Sequence, residues 1–160
     1  MNDADVGTLV SSIEKQLSFA DLLYGAVDRA MGEDVPKIGK TANAAVMVAG
    51  LIENYYTCLE TAYLKISQHF ENHLERSHWH ADLLDKMTLH IEGVRIAAVA
   101  DETYSLLKEL QRFRHFKRYY FDLEYDWERM DFLLGKLRKA HPLVKRDLNE
   151  FLGFLRRVDS

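Results

Sequence analysis

The sequence predicts an all-α protein, an up-and-down bundle of about five helices. Apolar residues recur in alternating steps of three and four over long stretches, which is the spacing of helices that bury one face. Chain breakers are sparse, with only two prolines (Pro36 and Pro142) and eight glycines in 160 residues. Apolar residues make up 48% of the chain and charged residues of mixed sign 29%, enough for a real core and against global disorder. The length fits one domain covering residues 1–160.

Residues 5 to 31 read as the first helix, with Val6, Val10, Ile13, Leu17, Ala20, Tyr24, Val27 and Met31 as its buried seam. Asp5 or Thr8 is positioned to cap it and Gly32 to end it. Glu33 to Gly39 reads as a linker around Pro36. Gly39-Lys40-Thr41 resembles the end of a phosphate-binding loop. However, the first glycine of that motif falls on Asp34 and no strand precedes it, so the reading is rejected.

Thr41 to about Glu75 is a long central helix whose seam is Ala45, Val48, Ile52, Tyr55, Leu59, Ala62, Ile66 and His69. At about 1.5 Å per residue it is roughly 50 Å long, more than a compact bundle of this size needs. The surplus suits a bend or a dimer interface. Glu53 and Glu60 share a face with Tyr56 and Tyr63, a boundary that would hold partly buried carboxylates. Ser77 to about Ile91 is a shorter helix with Trp79, Leu83, Leu84 and Met87 inward, and Gly93 to Ala100 is a connection. Asp101 looks like the next cap, and Tyr104, Leu107, Leu110 and Phe113 or Arg114 run along the helix that follows. Asp122 to Tyr125 is a break. Asp126 caps a last helix with Trp127, Met130, Leu134 and Leu137 on one face, and Pro142 either kinks it or starts another. Val144, Leu148, Phe151, Leu155 and Val158 continue the pattern.

The net charge of −4 carries no global sign of nucleic-acid binding, but the charge is unevenly spread. From Lys108 to Ser160 there are thirteen Lys and Arg against nine Asp and Glu, while the first 107 residues have eight against sixteen. That asymmetry suits either a local basic groove or the packing of acidic helices on basic ones. A single cysteine, Cys58, excludes an intramolecular disulfide framework and fits a reducing cytoplasm. With Asp3 and Asp5 at the start of the sequence, no basic, apolar leader is expected. The longest apolar run, Ala44 to Ile52, is too short to span a bilayer, so no membrane role is expected. Among seven histidines, His69 and His73 are four apart and Glu75-x-x-His78 is half of a di-iron motif. No second half exists, so neither a metal nor another cofactor is expected. No serine lies near a glycine-rich elbow, and Cys58 sits mid-helix, so a nucleophilic triad has no support.

Gln111 to Met130 concentrates the remaining signal. Arg112, Arg114, Lys117, Arg118 and His115 are threaded through the six aromatics from Phe113 to Tyr125. Cations suit phosphates and flat rings suit bases, so the stretch fits RNA. It equally fits an amphipathic helix end with aromatics as core and cations as the solvated face.

The order of residues adds more than the composition. Phe113-Arg114-His115, then Arg118, an aromatic cluster, Asp122 and Asp126-Trp127-Glu128-Arg129 resembles the signature of HepT-like proteins, small helical bundles of the HEPN superfamily. Asn54-Tyr55-Tyr56 with Leu59-Glu60, Trp79-His80 with Leu83-Leu84, and Gly93-Val94-Arg95 are similar to residues usual in that family. The likeness covers about residues 40 to 135. Its Arg-x4-His core is weakly specific alone, and the ordered set is fairly specific.

The resemblance implies a HEPN-type bundle acting as a homodimer, a metal-independent ribonuclease toxin, and a nucleotidyltransferase antitoxin that modifies a tyrosine of the toxin with adenylyl groups. In that mechanism the ribose 2′-hydroxyl attacks the adjacent phosphate, a histidine handles the proton and the arginine stabilises the phosphoryl oxygens. Carried onto this chain, Arg114 is the motif arginine, with Arg112, Lys117 and Arg118 as phosphate contacts. Tyr119 stands where the histidine is expected, Tyr120 where the family has alanine, and Phe121 where the modified tyrosine is expected. A phenol with an ordinary pKa of about 10 is a poor base near neutrality. His115 is the alternative base, although adjacent helix positions point about 100° apart. Two functions follow: a HepT-like ribonuclease toxin, or a degenerate module that binds RNA, a nucleotide or a protein partner without cutting.

Overall fold

The computed structural model describes residues 3–71, 79–119 and 125–159, with the side chains of 3–4, 79–82 and 116–119 left aside. The elements in order are α1 (Asp3–Arg29), a π turn (Ala30–Asp34), α2 (Val35–Ile38), α3 (Ala42–Glu71), α4 (Trp79–Met87), α5 (Asp101–Tyr119) and α6 (Trp127–Val158). Helices α1 and α2 form one continuous rod through the π turn, so the described residues make five rods in an all-α bundle. No helix among them is long and apolar enough to cross a membrane.

Helix α3 is the centre, packing on α1, α4, α5 and α6. Its expected seam holds from Ala45 to Ile66, with Ala45, Val48, Ile52, Tyr55, Leu59, Ala62 and Ile66 all buried, while His69 at its end is only half-buried. Thr41 is its cap rather than its first residue, with Thr41 Oγ1 accepting from Ala44 N at 3.1 Å. Helix α6 then anchors to that same end, where Trp127 Nε1 donates to Thr41 O at 2.9 Å.

The first rod departs from its sequence reading at both ends. It is already helical at Asp3, so neither Asp5 nor Thr8 caps it. Gly32 does not stop it, and Glu33 to Gly39 is not a loose linker. The backbone widens into a π turn immediately before Pro36, where a proline lacks the donor an α-helix requires. The rod ends at Gly39, whose φ of 86° suits glycine and whose N–H reaches Val35 O at 2.7 Å.

Helix α4 buries Leu83, Leu84 and Met87 but ends at Met87, short of the expected Ile91. Buried Arg95 explains the early stop. Its guanidinium donates to Lys86 O (2.9 Å), Leu89 O (2.8 Å) and Ile96 O (3.2 Å), and its Nε donates to Glu71 at 2.7 Å. The turn that places Arg95 is closed by Ile91 N to Arg95 O at 2.9 Å, with Gly93 at φ 76°.

The expected cap of α5, Asp101, is instead its first helical residue. Asp147 of α6 supplies the carboxylate: its Oδ2 accepts from Ala100 N at 3.0 Å and from Thr103 Oγ1 at 2.6 Å. Asp126 does cap α6, accepting from Glu128 N at 3.0 Å. Pro142 lies inside α6, which continues unbroken to Val158. Val158 itself is exposed, and the buried seam ends at Leu155. Cys58 is buried, donates to Gln16 O at 2.9 Å and has its thiol pushed up to about 11 by burial, so it is an inert core thiol. The predicted starts of helices near Ser77 and breaks near Asp122 lie outside the described residues.

Candidate functional site

Helix α5 buries Leu107, Leu110 and Phe113 at steps of three, and Phe113 meets Tyr125 edge-on with ring centroids 6.2 Å apart. With that stripe fixed in the core, the next residue, Arg114, leans along the seam towards α3. There Arg114 Nη1 lies 2.5 Å from Glu60 Oε2, with the side chains 15% and 9% exposed. Its guanidinium carbon stands 6.0 Å from the centroid of Tyr56, one turn before Glu60 on the same face. Burial pushes the Tyr56 phenol well above its usual value. Glu60 pushes it the same way, while Arg114 and a hydrogen bond with Gln111 act against them. Gln111 and Arg114 on α5 therefore meet Tyr56 and Glu60 on α3.

Of the other predicted site residues, Arg112 and His115 have described side chains, and both are exposed. Arg112 is exposed on the outer face and pairs with Glu109 at 3.2 Å. His115 is exposed, and as the neighbour of Arg114 on a helix it starts from a position about 100° around the axis. Lys117, Arg118 and Tyr119 continue α5 in backbone, their side chains left aside, and Tyr120 and Phe121 lie outside the described residues. Glu60 stood out in the sequence as a boundary carboxylate. Its pairing with Arg114, 54 positions on, did not, because no helical spacing links separate helices.

A second polar cluster was missed altogether. His141, buried in α6, joins three helices: its Nδ1 lies 2.8 Å from the Tyr55 hydroxyl and its Nε2 lies 2.8 Å from Asp21 Oδ1. A carboxylate only accepts, so Nε2 carries the proton and Tyr55 donates to Nδ1. The ring stacks on Tyr24 at 4.3 Å. Burial lowers the imidazole's proton affinity and outweighs the opposing pull of Asp21. Partial burial alone would raise the Asp21 carboxyl, but hydrogen bonds from His141 and Lys145 hold it below its ordinary value. Tyr55 is fully buried and Asp21 half-exposed, so this cluster ties three helices together from the core to the surface.

Among the described residues no three His, Cys, Asp or Glu side chains are grouped to hold a metal ion. His73, Glu75 and His78 lie outside those residues.

A family profile described as "HepT-like protein" matches residues 47–155, from the second turn of α3 nearly to the end of α6. The chain belongs to the HepT-like family. No curated protein and no solved structure matches it. The family match includes both sides of the Glu60–Arg114 pair. It leaves out α1, so in this HepT-like protein the Asp21 end of the His141 cluster comes from outside the matched region.

Proposed function

We propose that this HepT-like protein is a cytoplasmic toxin-family protein of the metal-independent endoribonuclease type, acting as a homodimer and restrained by a nucleotidyltransferase antitoxin. The observation that carries this reading is Arg114 itself. In a chain of this family, the motif arginine is held on α5 at the edge of burial, where a guanidinium can reach phosphate oxygens. In that role Arg114 stabilises charge on the phosphoryl oxygens while the 2′-oxygen bonds to the adjacent phosphorus and the P–O5′ bond breaks, leaving a 2′,3′-cyclic phosphate and a 5′-hydroxyl. Arg112, Lys117 and Arg118 steer the polyanion, and His115 or Tyr119 handles the proton. Phe121 carries no hydroxyl to accept an adenylyl group, so restraint by the antitoxin rests on contact or on modification of Tyr119 or Tyr120 instead.

A second reading is a module that binds RNA, a nucleotide or a protein partner without cleavage. The replacement of the expected histidine by Tyr119 favours it, since losing general acid–base assistance costs ~10²–10⁴ in rate. Cleavage of RNA in excess EDTA by wild type, Arg114→Ala and Tyr119→His separates the two. Cleavage by wild type that disappears in Arg114→Ala supports the nuclease. Cleavage only after Tyr119→His supports the binding module.

A further inference from the structure

The surroundings of Arg114 point to a control on it. Its charge is already paired with Glu60, and a carboxylate at that position repels a second anion as well as neutralising the cation. We propose that Glu60 is a positioning residue that gates Arg114. It holds the guanidinium between α3 and α5 in the empty site and competes with an RNA phosphate for it when the site fills. This rests on the reading of Arg114 as the RNA-phosphate contact.

Three features of the pair make such an exchange feasible. Arg114 keeps 15% of its side chain exposed and Glu60 9%, so the pair lies at the edge of the core and an incoming phosphate meets the guanidinium from its exposed side. The Tyr56 ring lies under the guanidinium at 6.0 Å, a partner that persists when the carboxylate lets go. The bundle also holds a contrasting pair that lacks this freedom: the Arg95 side chain is wholly buried and its donors are spread over Glu71 and three backbone carbonyls. The gate makes affinity depend on the charge of Glu60 and on its reach, separately from any chemical step.

The test is binding of a fluorescent single-stranded RNA oligonucleotide, in EDTA and at several salt concentrations. The proteins are wild type, Glu60→Gln, Glu60→Asp, Arg114→Ala and the Glu60→Gln/Arg114→Ala double variant, each checked by thermal melting. Glu60→Gln keeps the shape and removes the charge. It should tighten binding about tenfold, the scale of one charge-assisted hydrogen bond. It should also steepen the dependence of log affinity on log salt by about 0.7, as one added phosphate contact does for a single strand. Glu60→Asp keeps the charge but draws it back by one methylene, and should give a smaller gain. Adding Arg114→Ala should abolish the gain. If Arg114→Ala weakens binding but a folded Glu60→Gln binds no tighter than wild type, the gate is overturned and the RNA site stands. Should Glu60→Gln not fold, Glu60→Asp decides in the same way. If none of the proteins binds RNA, the gate and the RNA reading fall together.

Discussion

Arg95 and Arg114 each reach a glutamate of α3, Glu71 and Glu60, yet the two pairs are placed very differently. The Arg95 side chain has no exposed surface and donates to the carbonyls of Lys86, Leu89 and Ile96 as well as to Glu71. It closes the end of α4 and holds the chain that leads into α5. Arg114 lies at the boundary, over the face of Tyr56. An arginine committed to backbone carbonyls is part of the fold, because no ligand can replace those carbonyls. An arginine at the boundary can exchange one anion for another at little structural cost. Family motifs flag both residues alike, and only their surroundings separate a wholly buried cation from one at the edge of the core.

The largest expected effect breaks the buried pair. Arg95→Met leaves the Glu71 carboxylate and three carbonyls without their donor, and should destabilise the protein by about 3–5 kcal/mol. A large fall in the urea midpoint at unchanged slope checks this. Arg114→Met should cost less, about 1–3 kcal/mol, because the Arg114 side chain is 15% exposed where that of Arg95 is wholly buried. Equal losses in the two variants would erase the distinction drawn between the pairs.

The smallest effect concerns a tie that, unlike arginine, titrates. The folded proton affinity of His141 lies below the ordinary imidazole value, so the unfolded chain takes up the proton first as pH falls. Its contribution is fully present above about pH 6.5 and declines below it, by at most about 1.4 kcal/mol per pH unit. Asp21, also lowered, loses its contribution only below its ordinary value of 3.8, a separate window. Urea midpoints of wild type and His141→Gln at pH 8 and 5.5 check this. A wild-type midpoint that drops no more than that of the variant would show that His141 is not held neutral by the fold.

The helical faces were legible in the sequence, because burial of one face imposes a period that the residues of a single helix display. The seams of α3 and α6 and the Asp126 cap are all of this local kind. Errors fell where a local signal was answered from elsewhere. Gly32 looked like a stop, but the π turn carried the helix on to Gly39. Asp101 looked like a cap, but Asp147 of α6 took that role across 47 residues. His141 showed no partner at any helical spacing, since Tyr55 and Asp21 lie 86 and 120 residues away.

The sequence by itself determined the all-α class, the faces turned to the core, and the family to which Arg114 and its flanking residues belong. Each of these follows from residue type and short-range spacing. Tertiary structure alone decided which carboxylate meets which cation. Glu60 and Arg114 are brought together only when α3 and α5 pack, and the burial of that contact determines whether the arginine serves the fold or remains within reach of a phosphate.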